Sequence, residues 1–140
     1  MTVKINGKEC KLNFGVGFVR DLDQKYFVQS KAGIKFGSGL ESRVPMLLSD
    51  DVVTLAEFIY LGTARMSEGR PSIQEVDDFI DSAKNIEELF EQVVEELKKS
   101  NACRVKVLQL EENIRKEEEK RKEEEKLKNQ QLPKKPMKEL

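Results

Sequence analysis

A chain of 140 residues with 38% apolar side chains can bury one modest core but not two large ones. Lys and Arg number 25 against 26 Asp and Glu, so 36% of the chain is charged while the net charge is only −1, and attraction to nucleic acid by a one-signed field is excluded. The absence of His removes the imidazole that Ser-His-Asp and Cys-His nucleophilic catalysis, and most zinc sites, depend on.

The opening MTVKINGKEC has no continuous apolar stretch of the signal-peptide kind, and nowhere do 18 apolar residues run together. Cys10 and Cys103 are far apart with no C-x-x-C spacing, which suits free thiols in a reducing compartment. The expectation is an intracellular protein without a membrane partner.

In chain order, residues 1–13 read as a β-hairpin. Val3 and Ile5 alternate with Lys4, Asn6-Gly7 supplies a two-residue type I′ turn, and Cys10 and Leu12 alternate with Lys11. The period then switches to 3.6, with Phe18, Val19, Leu22 and Tyr26 on one face of a helix over about 16–29. KAGIKFGSG, carrying Gly33, Gly37 and Gly39, reads as a loop leading to a short helix with Leu40, Val44, Leu47 and Leu48, Pro45 lying in its first turn. Ser49 or Asp50 caps the next helix, whose apolar stripe is Val52, Leu55, Ala56 and Ile59 before Gly62 stops it.

Ser72 and Glu75 form a capping box opening a short helix with Ile73, Val76, Phe79 and Ile80 inside. Asn85 and Glu88 repeat the device before Ile86, Leu89, Phe90, Val93, Val94 and Leu97, the clearest amphipathic pattern in the chain. The line from Phe90 through Leu97 would next meet Arg104 and Glu111, while a new stripe starts at Cys103, Val107, Leu110 and Ile114. Two helical segments with a bend near LKKSNA account for this. The second stripe has little core left to meet in so small a domain, so its expected partner is another copy or another protein.

Residues 111–140 hold nine acidic and ten basic side chains, and all twelve from Arg115 to Lys126 are charged, with KEEEK twice. If helical, the segment pairs Glu117 with Arg121, Glu118 with Lys122 and Glu124 with Lys128. It lacks an apolar seam, so it is a solvated extension rather than a coiled coil, ended by Pro133 and Pro136 in NQQLPKKPMKEL. The fold class is mainly α: a helical domain over 1–110 with its N-terminal hairpin, then a charged helical extension and tail over 111–140.

Chemical motifs are sparse. GIKFGSGL lacks the Lys-Ser/Thr of a phosphate loop. The pairs Asp50-Asp51, Asp77-Asp78 and Glu87-Glu88 point about 100° apart on a helix, as surface solvation requires and a shared ligand does not. All nine aromatic residues precede residue 91 and fall mostly on apolar faces, leaving the Lys-rich end without stacking partners for RNA. The reading is a non-enzymatic protein with no cofactor, no metal and no nucleic acid. Its candidate protein-binding residues are Leu89, Val93, Leu97, Cys103, Val107, Leu110 and Ile114.

KINGKECKLNFGVGFVRDLDQKY, a short hairpin running into a Phe-Gly-x-Gly-Phe opening and an acidic amphipathic helix, is followed by VVTLAEFIYLGT, RPSIQEVDDFID and IEELFEQVVEELKKS. This order and spacing, over residues 1 to about 100, resembles the tail assembly chaperones of long-tailed phages, siphovirus-type, infecting Gram-positive bacteria. The resemblance implies a mostly helical factor that coats the tape measure protein and keeps it soluble until tail tube subunits polymerise around it. It further implies self-association into a ring or spiral, action in the host cytoplasm, absence from the mature virion, and a longer frameshifted product that recruits the tail tube protein. A structural head-tail joining or oligomerisation protein, retained in the virion, is the alternative.

Overall fold

The computed structural model describes residues 1–131, so the helix stop expected at Pro133 and Pro136 lies outside the described residues. The first hairpin joins β1 (Thr2–Ile5) and β2 (Lys8–Lys11) in antiparallel register, Val3 opposite Cys10 and Ile5 opposite Lys8. Asn6 and Gly7 both have positive φ, 51° and 77°, as the type I′ turn requires. Val3, Ile5 and Cys10 share the buried face.

Helix α1 (Val16–Lys25) is shorter than its apolar spacing suggests. The chain becomes extended at Tyr26, and a second antiparallel hairpin follows, β3 (Phe27–Gln29) and β4 (Lys35–Gly37), with Val28 opposite Phe36. This corrects both the helix end at 29 and the reading of KAGIKFGSG as a loop. An aromatic and β-branched run favours a strand, and the Gly33 turn at φ 83° lets it fold back on Ile34–Phe36.

Pro45 lies inside α2 (Gly39–Leu48), not in its first turn. One free amide at the start of α2 is met from elsewhere: that of Gly39 donates to Asp23 Oδ1 of α1 at 2.8 Å. Its C-terminus closes in a Schellman pattern, the Asp51 amide donating to the Met46 carbonyl and the Asp50 amide to that of Leu47, with Asp50 at φ 64°. That left-handed position removes Asp50 from the N-cap role. The cap of α3 (Val52–Gly62) is Asp51, whose carboxylate accepts from the Thr54 amide at 3.0 Å. Leu55 and Ile59 are buried as expected, but Val52 is exposed.

The capping box of α4 (Ile73–Asp81) is present in both halves, Ser72 Oγ accepting from the Glu75 amide at 3.1 Å and Glu75 Oε1 from the Ser72 amide at 2.9 Å. Val76 and Ile80 face inward, whereas Ile73, at the first position, points to solvent. Asn85 caps α5 (Ile86–Lys99), and α6 (Arg104–Gln131) follows after a bend. The bend is held from outside the two helices: Ser100 Oγ and Cys103 Sγ both donate to the Phe14 carbonyl, at 2.6 and 3.3 Å.

The core lies between α3 and the surrounding helices and first hairpin. Phe14, Phe18 and Phe58 form an edge-to-face chain through it, with centroids 5.0 and 5.2 Å apart. Helix α6 packs along α2 and α5, so the second apolar stripe does find its partner within the chain. The pairs expected between 117 and 128 do not come within ion-pair distance; Arg115 instead pairs with Glu112 and Glu119.

Candidate protein-interaction surfaces

Of the seven candidate residues, Val93, Leu97, Cys103 and Val107 are fully covered by their own chain, and Leu89 is nearly so. Leu110 and Ile114 are half-buried along the edge of α6. The two stripes meet each other and α2 inside one molecule. Burial pushes the Cys103 thiol up to about 11, against a small opposing effect of its Ser100 hydrogen bond, so the thiol is neutral at physiological pH.

Exposed apolar surface gathers elsewhere. Phe27, Val28, Ile34 and Phe36 on the second hairpin are all exposed, Val28 at 61% and Phe36 at 56%. The base of β4 packs on α1, yet none of these four side chains reaches the core, an unusual state for large apolar residues in so short a segment. Lys35 Nζ lies over the Phe27 ring, 4.8 Å from its centroid. Residues 24–40 carry three lysines and no acid.

The base of the hairpin is held by a polar cluster. Glu57 of α3 accepts from Lys25 Nζ and Tyr26 Oη, both at 2.8 Å, and from Arg43 Nε at 3.3 Å. Arg43 also donates to Thr54 Oγ1 at 2.7 Å and stacks on the Tyr26 ring. Burial, then the Glu57 bond, raises the Tyr26 hydroxyl above its usual value, so it stays a donor. The residue just before β3 is thus tied to α2 and α3.

A second surface is the groove where the C-terminal end of α2 meets α5 and α6. Leu48, Phe90 and Val94 line it, and Asp50, Glu91, Glu95 and Glu111 add carboxylates. Lys98 is the one basic group lining it, paired with Glu111 at 2.9 Å and Glu95 at 3.4 Å. Its bond to Glu111 holds the ammonium above the usual lysine range. Sequence reasoning missed both surfaces: the hairpin was hidden in a Gly-rich segment, and the groove is assembled from three helices that only packing brings together.

Among the described residues no group of three or more Cys, Asp or Glu is placed to hold a metal ion, and no helix is long and apolar enough to cross a membrane. The helical domain keeps most of its amphipathic stripes for itself and leaves an apolar hairpin exposed. The chain belongs to the phage tail assembly chaperone protein (TAC) family, whose sequence model matches residues 2–112. No curated protein and no solved structure matches it.

Proposed function

We propose that this tail assembly chaperone binds the tape measure protein of a long-tailed phage infecting Gram-positive bacteria, coating it in the host cytoplasm until tail tube subunits polymerise around it. Membership of the chaperone family across residues 2–112 carries the reading. Exposed apolar side chains on an otherwise well-packed domain support it, since a holdase must offer apolar surface before its client arrives.

In this reading residues 1–110 form the chaperone domain and 111–140 a charged extension that keeps the complex soluble. Copies self-associate into a ring or spiral, and a longer frameshifted product brings the tail tube protein. The finished virion lacks the chaperone. The buried stripe from Leu89 to Val107 supports the fold in this scheme, and Leu110 and Ile114 at its margin remain available to a partner.

Co-expression with the tape measure protein, followed by pull-down and size-exclusion chromatography with light scattering, tests the proposal. The expected result is a soluble complex with many chaperone copies per tape measure chain. A tape measure protein that stays insoluble beside an unbound monomer, or a chaperone retained in purified virions, would turn the assignment toward a head-tail joining component.

A further inference from the structure

The second hairpin and the acidic groove lie at opposite ends of one helix. β4 ends at Gly37, two residues before α2 begins, and the groove takes in Leu48 and Asp50 at the end of α2. Ten helical residues put about 15 Å between them, so the hairpin does not fold back onto its own groove.

Their chemistry is complementary. The hairpin offers Phe27, Val28, Ile34 and Phe36 with Lys31 and Lys35 among them and no acid. The groove offers apolar side chains among four carboxylates, offset by Lys98 alone. An apolar partner with basic character satisfies both parts of it, and the chain carries such a partner on its other side.

We propose that the β3–β4 hairpin of one copy seats in the α2–α5–α6 groove of the next, a head-to-tail contact between copies of this chain. The proposal rests on the self-association reading above and names its two surfaces. Because donor and acceptor differ, the contact leaves one hairpin and one groove free at the ends of every open assembly, and it propagates until a rotation closes it. The lysine and carboxylate contribution makes the association weaken as salt is raised.

Light scattering over a concentration series on the full chain tests this with Phe36→Ser and Lys35→Glu in the hairpin and Glu91→Lys in the groove. All three side chains are exposed, and circular dichroism checks that each variant keeps the helical fold. Each is expected to weaken association by about tenfold or more. The charge-exchanged chain Lys35→Glu/Glu91→Lys is expected to recover part of the loss, which keeps the test open should Phe36→Ser fail to fold.

Mixing Phe36→Ser with Glu91→Lys supplies one intact contact, so mass is expected to stop at a dimer. A Glu91→Lys chain that associates like the unsubstituted one overturns the proposal in favour of a two-fold contact. A hairpin variant that keeps the unsubstituted mass but loses the tape measure protein overturns it in favour of that client as the occupant. An unsubstituted chain that stays monomeric at every concentration removes the self-association reading itself, a result distinct from either.

Discussion

Glu57 gathers Lys25, Tyr26 and Arg43 at the point where the chain leaves α1 for β3, so this carboxylate ties the base of the exposed hairpin to the body, beside the packing of β4 on α1. Glu57→Gln keeps the volume but removes the nearer of Arg43's two ionic partners, leaving only Asp51 at 3.9 Å. The expected loss is about 1–3 kcal/mol in urea unfolding. Asp51 and Glu75 act at helix starts. The Thr54 side-chain and amide hydrogen bonds hold the Asp51 carboxyl below its usual value of 3.8, and the Ser72 amide does the same for Glu75. A depressed carboxyl stabilises the fold above its unfolded value and ceases to as pH falls through the folded one. The thermal midpoint is therefore expected to be flat near neutrality and to drop below about pH 4, less steeply in Asp51→Asn/Glu75→Gln. The capping box at Ser72 was legible from sequence because its two side chains lie three apart before an apolar run. Asp51 was not, because Ser49, Asp50 and Asp51 are all acceptable caps. What separates them is the left-handed turn at Asp50, set by how α2 ends.

Amphipathic spacing located α5, α4 and the first hairpin well, since each repeats one period over several residues against a clear polar background. It failed at Tyr26, whose position continues the face of Phe18 and Leu22 by chance while the residues after it pair as a strand. It also assigned the stripe on α6 to an outside partner. Periodicity reports that a face is covered, not by what, and α2 covers it here. The consequence is measurable. Leu97→Ala removes a fully buried side chain and is expected to cost about 2–5 kcal/mol, whereas Leu108→Ser, on the exposed side of α6, is expected to cost little. Differential scanning calorimetry separates the two. Beyond Glu118 the helix is wholly exposed, so a chain ended after Lys120 is expected to keep its thermal midpoint and lose only helical signal.

At the scale of the molecule, composition excluded His-dependent catalysis and field-driven nucleic-acid binding before any element was placed. The candidate interaction surfaces were less legible because they consist of what packing leaves over: an exposed hairpin and a groove shared by three helices. Neither has a sequence period. The same packing leaves the far part of α6 standing clear of the body. From Arg115 to Gln131, at 1.5 Å per residue, that arm is about 25 Å long. A compact body trailing a helical arm sweeps a larger volume as it tumbles than a sphere of 16.1 kDa, so even the monomer is expected to migrate as a heavier species with a raised frictional ratio. Elution volume therefore exaggerates the number of copies in any assembly, and sedimentation velocity on the chain ended after Lys120 is expected to give a rounder particle of the same copy number.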